Sequence, residues 1–105
     1  MLTSLDKLNY KLFHEQLHTQ FKVILPNNSP FAFELIKVVE ADPSPKIEMF
    51  MLHFRGPSAP HLPQQTLRLE HDKLGTFEIF LTAISAEPEG IVYESVFHRF
   101  RKTAP

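Results

Sequence analysis

The sequence predicts a mainly β fold of the α+β kind: a strongly bent antiparallel sheet or small barrel of about six strands, with one N-terminal helix capping it. Three observations carry that expectation. Beyond the first segment, apolar residues recur at every second position, the period of a half-buried strand. Nine prolines, most of them in small clusters, separate these runs, and proline lacks the N–H that a ladder needs. The connections are too short to hold the helix of a parallel crossover, so neighbouring strands should run antiparallel.

The opening segment reads as a helix over about residues 3–17. Leu5, Leu8 and Leu12 fall on one stripe at helical spacing, and Thr3 with Asp6 has the spacing of a capping box. The strands follow at about 19–25, 31–40, 47–55, 65–71, 76–84 and 91–99. In the first, Phe21, Val23 and Leu25 alternate. In the second, Phe31, Phe33 and Leu35 hand over to Ile36 and Val38, a change of face that marks a bulge. The third sets Phe50, Leu52 and Phe54 on one face and Met49, Met51 and His53 on the other. Apolar residues on both faces indicate a central strand, with Met49 and Met51 read first as core filling and second as an adaptable contact surface. Leu67 and Leu69 alternate with Arg68 and Glu70. Phe77, Ile79 and Leu81 alternate with Glu78, Phe80 and Thr82, and Tyr93, Ser95 and Phe97 with Val92, Glu94 and Val96. Asp72, Lys73, Leu74 and Gly75 supply a hairpin turn, with Gly75 suited to a left-handed position. The longest linker, 56–64, is expected to cross one end of the sheet.

A length of 105 residues fits one domain, 1–105, and one core. Eleven basic against twelve acidic residues leave a net charge of −1, which removes the usual argument for nucleic-acid or anionic-membrane binding. The absence of cysteine excludes a disulfide scaffold, a thiolate zinc site and a cysteine nucleophile. No apolar run approaches the roughly 20 residues of a membrane span, so the expectation is a soluble, cytoplasmic domain. No Gly-rich phosphate loop or G-x-S-x-G elbow is present, and no cofactor or catalytic residue is implied.

Three constellations remain. His14, Glu15 and His18 match H-E-x-x-H, in which two histidines one helical turn apart hold zinc and the glutamate activates water. Here they lie away from the leucine stripe and straddle the expected helix end, where solvated histidines suit the helix dipole. The tail interleaves Phe97, Arg99 and Arg101 with further aromatic and basic residues, a pattern that stacks bases and neutralises phosphates. A last strand running into a solvated terminus explains the same residues. Arg55 leaves the third strand beside Gly56 and Pro57; it can clamp an anion or pair with a carboxylate such as Glu70 or Glu78.

Several segments resemble a small bacterial family of unknown function. They are 17–23, the run ending in Phe54, Arg55, Gly56 and Pro57, Leu62 to Gln64, and 93–97. The stretch 69–81, with Leu69, Glu70, His71, Leu74, Gly75, Phe77, Glu78, Phe80 and Leu81, carries the most specific part of the likeness. The resemblance implies an association with phage-tail-collar-like proteins and so a structural or accessory role, and it assigns no catalytic residue. The expected function is a non-enzymatic protein-interaction or assembly domain, with a protein partner or a second copy of the chain. Arg55, Met49, Met51 and Arg99 are the candidate contacts. The alternatives are a zinc-dependent hydrolase on His14 and His18, and a single-strand nucleic-acid binder on the last strand.

Overall fold

Alternation at every second residue separates an inside from an outside once strands close on themselves. The computed structural model describes residues 2–41 and 45–100. It contains β1 (Gln20–Ile24), β2 (Ala32–Glu40), β3 (Ile47–Gly56), β4 (Gln65–His71), β5 (Gly75–Glu87) and β6 (Gly90–Phe100). They lie in the order β1-β2-β3-β6-β5-β4, and β1 pairs back onto β4, so the sheet closes in a ring with every neighbour antiparallel. Phe21, Phe33, Phe50, Phe54, Leu69 and Phe77 are among the side chains fully buried inside it. The face change in β2 is a register slip between Leu35 and Lys37, as the pattern indicated. A second slip, between Ala83 and Ser85 of β5, has no such signature.

β3 and β4 stand on opposite sides of the ring, so the linker between them crosses one open end. Leu62 is buried there, and its N–H donates to the Tyr93 hydroxyl at 3.0 Å. Where the linker leaves β3, a Cβ on Gly56 would meet the Phe33 ring at 3.0 Å and the Tyr93 ring at 3.3 Å, so any larger residue there would have to push the aromatic layer below it aside. The β4–β5 hairpin turns through residues 72–74 into Gly75 at φ +84, the left-handed position expected of it.

The other end is closed by the N-terminal segment, and here the expected helix is corrected. Residues 3–17 form a 3-10 turn (Leu5–Lys7) and a short α1 (Tyr10–His14). The interruption is local chemistry. Asn9 is extended, and its side chain accepts the Leu12 N–H at 2.9 Å, so it begins a new helix instead of continuing the old one. Thr3 does not cap. Its N–H donates to the Thr76 carbonyl at 2.6 Å and its hydroxyl to the Leu74 carbonyl at 3.1 Å. Leu2 forms a parallel bridge with Thr76. Restarting the helix resets its phase, so Phe13 rather than the leucine stripe enters the ring. Its ring centroid lies 6.0 Å from that of Phe50, 5.9 Å from Phe77 and 5.7 Å from Phe97. Leu8 is also buried, whereas Leu5 and Leu12 are only partly covered. No helix among the described residues is long and apolar enough to cross a membrane.

Candidate functional site

A ring whose interior is filled by side chains leaves its outer surface for recognition, and that surface is unevenly divided. The outer side of β1, β4 and β5 is charged and paired: Lys22 lies 4.0 Å from Glu70, and Arg68 lies 3.0 Å from Glu78. The outer side of β3 and β6 is apolar towards the N-terminal end. Register sets Ile47 opposite Phe100, Met49 opposite His98 and Met51 opposite Val96. Exposure there reaches 37% for Met49, 51% for Val96 and 82% for Phe100, and Phe80 of β5 adds 51%. Large apolar side chains gathered at such exposure mark a contact surface more often than chance. A polar boundary follows two residues on along the same face, where His53 Nε2 meets Glu94 Oε2 at 2.9 Å. Met49 and Met51 therefore do not fill the core. The pleat turns them outward because Phe50 and Leu52 already occupy the inside.

Arg99 lies at the edge of this face but turns inward. Its Nε donates to Glu48 Oε1 at 3.0 Å, Nη1 to the Leu5 carbonyl at 2.7 Å and Nη2 to the Leu8 carbonyl at 2.5 Å. The guanidinium rests 5.6 Å from the Phe50 centroid and 5.3 Å from that of Phe97. These contacts tie the N-terminal segment to β3 and β6 and occupy the group that a phosphate contact would use. Arg101 lies outside the described residues.

Arg55 stands opposite Glu34 of β2 and Val92 of β6. The expected pairing with Glu70 or Glu78 does not form, because those carboxylates face Lys22 and Arg68 around the ring. The buried Nε of Arg55 has no hydrogen-bond partner.

His14, Glu15 and His18 do not share a helix. α1 ends at His14, Glu15 is its C-cap, and His18 is left-handed at φ 68. The His14 ring leans on Tyr10 at 5.5 Å, and His18 Nδ1 lies 3.3 Å from Glu34 Oε2. The described residues contain no group of three or more histidines, cysteines, aspartates or glutamates placed to hold a metal ion.

One histidine to which the sequence assigned no role of its own, His71 of the family-like stretch, has a defined task. His71 Nδ1 accepts the N–H groups of Lys73 at 3.0 Å and Leu74 at 3.2 Å, so Nδ1 is unprotonated and the proton sits on Nε2. Nε2 donates to the Thr19 hydroxyl at 2.9 Å, which donates to the Gln16 carbonyl at 2.7 Å. The ring packs 4.3 Å from that of Phe21. Burial lowers the His71 pKa from 6.5; Asp72 raises it in part and Lys73 lowers it further. A lowered histidine pKa means the unfolded chain takes up a proton before the folded chain does. Stability is then complete above pH 6.5 and falls as pH drops through that value, levelling off below the folded pKa. Urea midpoints at about pH 7.5 and 5.5 should show this loss. His71→Gln, which keeps an acceptor but does not titrate, should show a smaller one; equal losses would refute the assignment.

The signal for the outer face was present in the sequence, since Phe80 and Val96 alternate with buried residues on their strands. Comparison with curated proteins and with solved structures finds no match. Residues 8–97 match the model of a domain of unknown function (DUF6916). That span takes in α1, β1 to β5 and most of β6, and the chain belongs to this family.

Proposed function

We propose that this domain is a non-enzymatic protein-interaction and assembly module that meets a second copy of itself through the outer face of β3 and β6. The observation that carries the reading is the uncharged cluster of Ile47, Met49, Met51, Val96 and Phe100 set across one strand pair. Two identical copies of a patch that holds no carboxylate, ammonium or guanidinium, with His98 its one ionisable member, approach without strong like-charge repulsion, and a two-fold axis makes one patch its own complement. Methionines suit such a surface because they repack readily. The setting we propose is a tail-like or surface assembly, the accessory role that the resemblance in sequence implies; the family itself is one of unknown function.

Light scattering on the untagged chain is expected to give a defined dimer. Met49→Lys and Val96→Asp, both at exposed positions, should each yield a monomer with unchanged circular dichroism. A wild-type chain that stays monomeric at about 1 mM, weak by the measure of specific interfaces, would overturn the reading.

A further inference from the structure

The ladder between β5 and β6 is incomplete. Pairing runs from Glu87 opposite Gly90 to Thr82 opposite Glu94 and stops there, although both strands continue. β5 extends back to Gly75, paired with β4 on its other side, and β6 runs on to Phe100, paired with β3. The register slip between Ala83 and Ser85 lies beside the parting. A bulge bends its strand and ends regular pairing, so the extra residue in β5 explains why the two strands diverge.

Between them lies an open groove of about 410 Å³. Ile79, Ser95 and Phe97 line its inner side, and Phe80 and Val96 its outer rims. The 3-10 turn closes its far end with Leu5 and Asp6. Two strand edges facing each other across a gap offer backbone donors and acceptors from both sides.

The chain already uses one of these edges in this way. Leu2 bridges Thr76 in parallel, and the Thr3 N–H donates to the Thr76 carbonyl at 2.6 Å. The edge of β5 thus accepts an extended segment at its first residues, and the groove continues that edge towards Leu81. Most of its lining carries no charge, and Asp6, His98 and Arg99 complete it. Arg99 is committed to Glu48 and to the Leu5 and Leu8 carbonyls, and Asp6 accepts the Ser4 hydroxyl at the closed end.

We propose that the groove between β5 and β6 receives a single extended, uncharged peptide strand of a partner protein, with apolar side chains at alternate positions. Backbone pairing with the two edges supplies the affinity, and alternate side chains settle between Phe80 and Val96 or over Ile79 and Phe97. An intact sheet does not fit a gap bounded on both sides, so the ligand is one strand of about six residues at about 3.3 Å each. This deepens the interaction reading by naming a second occupant at an adjoining place that shares Val96 with the β3–β6 face, and it does not depend on self-association.

The probe is a capped hexapeptide of alternating threonine and valine, titrated into the Met49→Lys variant and followed by amide chemical shifts and hydrogen exchange. The expected result is protection of amides in 77–81 and 95–99, with Phe80→Glu weakening binding about tenfold. The same peptide methylated on alternate backbone nitrogens keeps its side chains but loses donors, and should bind at least about tenfold more weakly. No shifts, shifts confined to the Ile47 and Phe100 face, or equal binding of the methylated peptide would overturn the proposal. Peptide protection in a wild-type chain that never dimerises would uphold the groove while removing the β3–β6 dimer.

Discussion

Phe13→Ala is expected to cost about 3–5 kcal/mol, the range for deleting a fully buried phenylalanine. The ring has no exposure and touches Phe50, Phe77 and Phe97, three side chains from three strands. Those neighbours belong to hydrogen-bonded strands and have little freedom to collapse into the space, so the cavity component should be near its upper limit. A small domain has about 5–15 kcal/mol to lose, which makes this a large fraction of the whole. Phe13→Leu keeps most of the volume and should cost less than half as much. Urea unfolding followed by circular dichroism measures both. A loss below about 1 kcal/mol for the alanine variant would mean that α1 does not close the ring in solution.

Arg99→Met is expected to cost about 3 kcal/mol, because it leaves Glu48 without its cation. The side chains of Arg99 and Glu48 are 24% and 12% exposed, so water reaches the pair only in part. The substitution also removes the donors to the Leu5 and Leu8 carbonyls and the cation lying against two rings that stack at 4.6 Å. Arg99→Lys should recover little, since an ammonium cannot reach Glu48 and both carbonyls in one geometry. Adding Glu48→Gln to Arg99→Met should restore part of the loss by removing the stranded charge. If the two substitutions were strictly additive, the pair would not be coupled. Hydrogen exchange at Thr3 gives an independent reading, because that amide is held only while the segment is docked.

Much of the ring was legible because its strands obey a two-residue rule. Phe50, Leu52 and Phe54, like Leu67 and Leu69, are buried where alternation placed them. The crossing from Leu35 to Val38 announced its bulge, and Gly75 announced its turn. The rest depends on competition or on distance. Leu5, Leu8 and Leu12 describe one helix only if Asn9 joins it, and the Asn9 side chain prefers to cap. Phe13 was invisible for the same reason, since its inward position exists only after the helix restarts. The bulge in β5 leaves no trace because Ile84 is apolar and exposed at 46%, so the alternation around it is blurred. Ring closure pairs Val23 with Leu69, a contact that no local pattern can specify. The candidate face was half legible: Met49 and Met51 were noticed, but their outward direction followed only from knowing which side of β3 the core takes.

The strand order has a kinetic consequence. β1, β2 and β3 form one meander and β4, β5 and β6 another, each joined by pairings close in sequence. The halves meet at two far-apart seams, β3 with β6 and β1 with β4, and residues 57–64 are the only covalent link between them. Local pairings close small loops at little entropic cost, whereas the seams close large ones. Each meander can gather early as a unit, while docking of the two halves carries the loop-closure entropy and sets the folding barrier. Until that docking is complete both halves expose free edges, so the slow step is also the one at which the chain is most open to mispairing with its neighbours.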